Sequence, residues 1–452
     1  KKPMTENSDW PWDDGADVVV AGAGGSGLMA ALTAAKCGAS VLVLEKAQQI
    51  GGKTAIAIGS FTASETAQQR AAGVADSHKN HLADMTALAE TVGIKLDPER
   101  ARLRIAEDTL TLSRLCELGV QFSGPHPEAP HQVARMHNIV PGPRALVEKL
   151  EAACHERGVR FMTGCGASDL AIGTDGRVAG LIATNDAGMF RAQAGAVVLC
   201  AGDYTANRAL LRRLAPEAPL AEPILSTHTG DAHAMAIRIG AEATDMERIR
   251  VPHIRTTAWP HIEPSPDLYK LGAVIVDRKG RLRPWDNDGI DAPAEDLFLI
   301  IDSCISQSLA SIDDDIGPGR DGWQRTGRPF IGTAPDVAYA YLEDCKGREW
   351  YLKAESINDV AETLGCDVEA LAGFGEAPFH VIGPARRYLM GVGGALATGT
   401  DMAVLDTNGS PIPNLYAAGE ASAWMEYAGG HGYGISWATT SGRLAGAAAA
   451  AA

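Results

Sequence analysis

The chain has 452 residues, 46% of them hydrophobic, and 40 Lys and Arg against 56 Asp and Glu give a formal charge of −16. That length predicts two domains and a sizeable core. The acidic balance, with no long basic run, argues against nucleic acid as a partner. Eight cysteines (37, 116, 154, 165, 200, 304, 345 and 366) show no C-x-x-C spacing. This excludes a zinc ribbon, an iron–sulfur run or an attached c-type haem, so no metal is expected and the thiols are expected to be reduced, buried and inert. No apolar run reaches about 18 residues without Gly, Pro or charge, so no membrane span is expected. Lys1-Lys2-Pro3-Met4 carries no apolar signal core, and the expected location is the cytoplasm.

Residues 1–14 read as a polar surface tail. Asp17-Val18-Val19-Val20-Ala21 is an apolar strand, followed by Gly22-Ala23-Gly24-Gly25-Ser26-Gly27 with G-x-G-x-x-G spacing. Leu28 to Cys37 is helical, Gly38 ends it, and Val41 to Leu44 forms a second strand closing on Glu45. Gly22 permits the tight turn, Gly24 lets backbone N–H groups approach a pyrophosphate, and Gly27 lets helix and strand pack closely. Glu45 would accept hydrogen bonds from an adenosine ribose. The motif predicts a dinucleotide and leaves NAD, NADP and FAD open.

Ala145 to Arg157 has apolar residues at helical spacing, and Gly158 to Met162 turns into a strand. Val178 to Ala183 and Ala194 to Cys200 read as further strands. Between 246 and 375 Pro becomes frequent and Trp259, Trp285, Trp323 and Trp350 fall together, the tryptophans being expected in a core. Ser356 and Asp359 predict a capping box for a short helix. The pattern predicts a first domain at 15–245, an inserted domain at 246–375 and completion of the first at 376–452. The alanines 447–452 read as a fraying helix end.

Further segments carry a family resemblance. Gly51-Gly52-Lys53-Thr54 resembles the GG motif of FAD-dependent oxidoreductases, Val197 to Asp203 the family's V-V-L-A-T-G-G strand, and Thr229-Gly230-Asp231 its T-G-D-G turn. Ile412 to Glu420 resembles I-P-G-L-Y-A-A-G-E, and Ile435 to Arg443 the closing flavin helix. Taken together, in order and across nearly the whole chain, these are similar to the fumarate reductase and 3-ketosteroid dehydrogenase flavoprotein superfamily. The resemblance implies an α/β fold: a Rossmann-like FAD-binding domain of the GR2 type, with an inserted α+β capping domain. It implies FAD contacts from the Gly22–Gly27 turn, Glu45, Lys46, Gly52, Lys53, Thr54, Gly59, Ser60, Ala201, Gly202, Thr229, Asp231, Gly419, Glu420, Ile435 and Ser436. It also implies that the last helix points its N-terminus at the flavin N1–C2=O edge, stabilising the anionic reduced flavin. No His lies between Gly51 and Ser64, so non-covalent FAD is expected.

The family's shared reaction is hydride exchange between flavin N5 and one carbon of a C–C bond beside a carbonyl or carboxylate, with proton transfer at the neighbouring carbon. Fumarate reductases need cations for their charged substrates. Here Tyr269 stands at the proton-donating arginine, Met390 at a histidine, and Gly429-Gly430-His431-Gly432-Tyr433 in place of a further arginine. These departures resemble the ketosteroid dehydrogenases, and imply proton transfer by Tyr269 with Tyr427, Tyr433 or His431 near the substrate. A C=C bond next to the ketone of a largely apolar small molecule is the expected target. The alternatives are a carboxylated substrate held by Arg386 or Arg387, which otherwise read as a solvated pair, and a flavin-binding protein without turnover. His137 and His380 read as satisfied structural groups. No haem, iron–sulfur or nicotinamide site is recognisable, so a diffusible electron donor or acceptor of unknown identity is expected.

Overall fold

The computed structural model describes residues 11–91, 93, 96–127, 131–216, 221–249, 253–258, 264, 267–284, 295–308, 330–334, 337–422 and 432–452. They gather into two compact units, one of Lys1–Pro216, Leu225–Arg250 and Gly391–Ala452, the other of Glu217–Ile224 and Val251–Met390.

In the first unit the chain runs β1 (Asp14–Ala21), α1 (Gly25–Lys36), β2 (Val41–Leu44), β3 (Ser60–Thr62), α2 (His78–Thr91), α3 (Pro98–Glu117) and β4 (Met136–Val140). It continues through α4 (Pro143–Glu156), β5 (Arg160–Met162), β6 (Gly166–Ile172), β7 (Val178–Asn185), β8 (Gly188–Leu199) and α5 (Asp231–Arg238). The second unit contributes β9 (Val274–Asp277), β10 (Leu297–Ile301), β11 (Tyr351–Ala354), α6 (Ile357–Leu364) and β12 (Phe379–Leu389). The chain then returns with β13 (Ala403–Leu405), β14 (Pro411–Ala417) and α7 (Tyr433–Ala449).

The first unit is built on an eight-stranded sheet ordered β13-β14-β8-β1-β2-β5, with β6 paired to β7 and β7 to β8. β1 lies parallel to both β2 and β8, with Val19 opposite Leu42 and Val197. Val18, Val19 and Val20 are fully buried, because a parallel strand covered on both faces reads as a continuous apolar run. Helix α7 lies directly on α1. A methyl group at Gly442 would meet Ser26 O at 2.3 Å and one at Gly446 would meet Ala30 O at 2.2 Å. Only the missing side chains let these two backbones touch.

The second unit carries a seven-stranded sheet in which β12 pairs with β10, β11, His253–Thr256 and Glu222–Pro223, and β9 lies beyond β10. Trp350 is buried with Leu299, Ile301 and Ile382 on one side of it; Trp259, Trp285 and Trp323 lie outside the described residues. Helix α6 starts with the expected capping box, Ser356 accepting from Asp359 N and Asp359 reaching back to the Ser356 backbone. Arg387 departs from the solvated pair expected with Arg386. It is buried and donates to Pro284 O at 2.6 Å, whereas Arg386 is half-exposed and pairs with Asp296 at 3.0 Å.

All eight cysteines are free. Burial pushes the Cys154 and Cys200 thiols up to about 12, which suits inert groups. Cys37, Cys116 and Cys304 are exposed, so burial was not common to all of them. Among the described residues, no helix is long and apolar enough to cross a membrane.

Candidate cofactor and active site

The glycine turn joins the end of β1 to α1. Gly22 has φ +103° and a methyl there would meet Cys200 O at 2.4 Å, so the crossing of β1 and β8 requires glycine. Gly27 has the same cause from the other side, a methyl lying 1.8 Å from Gly22 O. At Gly24 the nearest atom to an added methyl is Gly51 O, at 4.0 Å. Protein packing does not explain that glycine, and the space beside it is what a close-approaching pyrophosphate would fill. Gly24 caps α1 with no side-chain bond, leaving a helix N-terminus suited to an anion.

Gly51 N donates to Ala23 O at 2.9 Å, and Gly25 N to Thr54 Oγ1 at 3.1 Å. The second glycine pair is thereby fastened to the first turn, and Gly52 lies against Gly24. Glu45 follows β2, its two carboxylate oxygens accepting from Ala23 N and Ala47 N at 2.7 Å each. The carboxylate is fixed in place, and each oxygen retains a lone pair for a ribose hydroxyl. A cleft of about 340 Å³ is lined by Lys46, Gly166, Ala167, Ser168, Asp231 and Arg238 among others. Lys46 spans it to Thr229 Oγ1 at 2.6 Å and Asp231 Oδ2 at 3.0 Å. The turn, Glu45 and this cleft fit the adenosine diphosphate half of FAD.

A charged cluster stands beside the second glycine pair. Lys53 Nζ lies 2.6 Å from Asp203 Oδ2 and 2.9 Å from Glu420 Oε1. His228 Nδ1 lies 3.2 Å from Asp203 Oδ1 and 3.7 Å from Glu420 Oε2. Burial alone would lower the Lys53 pKa, but Asp203 and Glu420 outweigh it and hold the ammonium above its usual range. For Asp203 burial is outweighed in turn by Lys53 and His228, and the carboxyl stays far below the ordinary carboxylate range. Asp203, His228 and Glu420 have the spacing of a metal site, yet Lys53 already compensates both acids. Sequence reasoning named Lys53 and Glu420 but missed His228 and the role of Asp203. The signal was there in part: Asp203 replaces a family glycine and His228 directly precedes the Thr229 turn.

Other residues expected at the cofactor fall in the same unit. Gly202, at φ +70°, packs on the His228 ring, and Gly59 on Pro143. Ser60 Oγ donates to Asn138 Oδ1 at 2.8 Å. Gly419 N donates to Ser441 Oγ at 2.8 Å, so the strand end is tied to α7. Ile435 and Ser436 lie in the first turn of α7, and Ser436 Oγ donates to Tyr433 O at 3.1 Å.

Of the expected catalytic residues, Tyr433 belongs to the first unit and Tyr269 to the second. Tyr433 opens α7, is 1% exposed, and packs with Met85 and Ile105. Its hydroxyl bonds His81 Nε2 at 2.7 Å, and His81 Nδ1 lies 3.0 Å from Ser64 Oγ. Burial pushes the Tyr433 phenol well above its usual range and His81 well below its own. Tyr269 belongs to the second unit, in the short helix Asp267–Lys270, partly buried against the core around Leu268 and Ile305. Tyr427 and His431 lie outside the described residues. His380 is satisfied as expected, by the Tyr351 hydroxyl at 2.8 Å; His137 is satisfied only in part, its Nε2 lying 3.0 Å from Thr66 Oγ1 while its buried Nδ1 has no partner.

Known proteins resemble this chain in sequence and in fold. Residues 17–288 match the family described as FAD binding domain. Urocanate reductase of Eggerthella lenta is 28% identical over 447 residues, covering 89% of this chain and 69% of that one. The open conformation of a flavocytochrome c3 fumarate reductase superposes with a TM-score of 0.79 at 22% identity, over 97% of this chain and 79% of that one. A 3-ketosteroid Δ4-(5α)-dehydrogenase from Rhodococcus jostii superposes with a TM-score of 0.67 at 23% identity, over the whole of both chains.

Proposed function

The chain belongs to the family of FAD binding domains, and on that premise we propose that it forms or reduces a C=C bond beside the ketone of a largely apolar, 3-ketosteroid-like molecule. Its class is that of an FAD-dependent oxidoreductase acting on carbon–carbon double bonds, in company with its reductase relatives. The finer reading is carried by one observation: the two arginines available for the carboxylate alternative are already committed, Arg386 to Asp296 and Arg387 to Pro284 O. With Tyr269 standing where a fumarate reductase has a cation, a doubly charged substrate is left without bidentate partners there.

FAD, held non-covalently, supplies the two-electron exchange with one substrate carbon. The protein's own groups do the rest. Gly24 would leave room for the pyrophosphate at the N-terminus of α1, Glu45 would take the ribose, and the first turn of α7 would face the N1–C2=O edge. Tyr269 carries the proton at the neighbouring carbon, its phenol acting as an acid in the reductive direction. Tyr433, bonded to His81, serves to fix the start of α7.

A second reading has support in the likeness to urocanate reductase: a conjugated acid as substrate. The two are separated by assaying a panel of 3-ketosteroids with an artificial electron acceptor, alongside reduction of fumarate and urocanate with a reduced viologen. Turnover of the acids with none of the ketones sinks the first reading. A flavin spectrum that no member of either class perturbs would favour a binding protein without turnover.

A further inference from the structure

A buried ion pair sits behind the first turn of α7. Arg104 and Asp108 are one turn apart on α3, each 1% exposed, with Arg104 Nε 3.4 Å from Asp108 Oδ2. Arg104 Nη2 also donates to the carbonyl of Tyr433, the first residue of α7, at 2.7 Å. Its guanidinium lies 5.2 Å from the Tyr433 ring centre and 5.1 Å from that of Trp437.

Stability alone does not account for this pair. Desolvating two charges costs about as much as their attraction returns, and apolar residues of similar volume usually do as well or better. Helix α7 would not choose such a neighbour either, since a helix N-terminus is already partly positive and favours an anion. The cap at Gly432, φ +91°, brings no side chain to that end. Asp108 supplies the nearest compensation, and burial pushes its carboxyl up although Arg104, Thr440 and Ser436 act against that. The arrangement is therefore a positive helix end reinforced by a buried cation, which an anionic group in front of it would complete.

We propose that Arg104 is a positioning residue for the flavin: it locks the first turn of α7 and adds positive potential behind it, with Asp108 as counterweight, so that the pair sets the balance between reduced and oxidised cofactor. The inference rests on the reading that the start of α7 faces the flavin N1–C2=O edge. The two residues then act with opposite sign, which a merely structural pair would not do.

The test is the two-electron midpoint potential of the FAD-loaded protein, measured against indicator dyes. Asp108→Asn is expected to raise the ratio of reduced-flavin to oxidised-flavin affinity about tenfold, or about 30 mV for a two-electron couple. Arg104→Gln is expected to lower it by a similar factor, and Arg104→Lys to stay near the unsubstituted protein. Shifts of the same sign in the Asn and Gln variants, or none beyond about threefold, overturn the inference. If Arg104→Gln does not retain FAD, Asp108→Asn decides alone, an unchanged or lowered potential being fatal. A reduced flavin that is neutral at N1 in the unsubstituted protein overturns the reading of the α7 end itself, and the inference with it.

Discussion

A methyl group on Gly27 would lie 1.8 Å from the carbonyl oxygen of Gly22, so the backbone at Gly22 holds position 27 to glycine, as Cys200 O holds position 22. Gly24, between them, meets nothing nearer than 4.0 Å. The motif thus separates into two glycines that the fold needs and one that packing does not explain, which is the one proposed to serve the ligand. Gly27→Ala is expected to destabilise the protein by about 3 kcal/mol, the upper range for overpacking a filled site. Gly24→Ala should leave the stability of the FAD-free protein within about 0.5 kcal/mol, as at an open position, while FAD affinity falls tenfold or more. Denaturant unfolding and flavin retention on gel filtration check the two arms; equal loss of stability in both variants would contradict the division.

Lys53 is expected to be the most sensitive single charge in the first unit. It is shared by Asp203 at 2.6 Å and Glu420 at 2.9 Å. Lys53→Met leaves two carboxylates facing each other beside His228, and breaking a buried pair typically costs about 3–5 kcal/mol. The pH dependence follows in sign. Asp203 has a depressed folded pKa, so its contribution is present above the unfolded value near 3.9 and is lost as pH falls through the folded one. In Lys53→Met that folded value rises toward the unfolded one, so the loss of stability that Asp203 contributes as pH falls below about 4 should shrink and the acid limb become shallower. An acid limb of unchanged slope would remove Lys53 from this role.

Much of the first unit was legible because its signals are local. Strand β1, the glycine turn, α1 and β2 follow from adjacent residues, and so does the Ser356 cap of α6. The charged cluster was only half legible, since Lys53, Asp203, His228 and Glu420 come from four distant segments and no spacing rule joins them. The Arg104–Asp108 pair was invisible for a related reason. At i and i+4 on a helix it reads as an ordinary surface pair, and only the packing of α7 on α3 shows that it is buried. Arg387 misled in the same way: next to Arg386 it resembles a solvated run, but alternation along β12 turns one side chain outward and the next inward.

His137 is expected to make the protein acid-sensitive above the carboxylate range. Burial lowers its folded pKa to about 4, below the unfolded value of about 6.5. The unfolded chain therefore takes up the proton first, and stability falls as pH drops from about 6.5 to 4, by roughly 3 kcal/mol for this group. His81, also pushed down by burial, adds a loss of the same sign. His137→Gln, which can keep a bond to Thr66 Oγ1, should remove one proton from the slope of unfolding free energy against pH in this window. Urea unfolding at several pH values would measure it, and an unaltered slope would show that His137 titrates normally in the folded protein.

Tyr269→Phe tests the chemistry most directly. The residue sits in a short helix against the core of the second unit, around Leu268 and Ile305, and removing one hydroxyl leaves that apolar contact in place. A tyrosine phenol, with a reference value near 10, would donate a proton to a developing carbanion without prior activation, which is the role proposed for it. A general acid or base of this kind contributes about 10²–10⁴-fold, and kcat with the preferred substrate should fall by that factor. FAD content and the flavin spectrum should be unchanged, because the residues proposed to hold the flavin lie in the other unit. If kcat stays within about twofold, Tyr269 is a packing residue, and the proton must come from the glycine-rich segment that contains Tyr427 and His431.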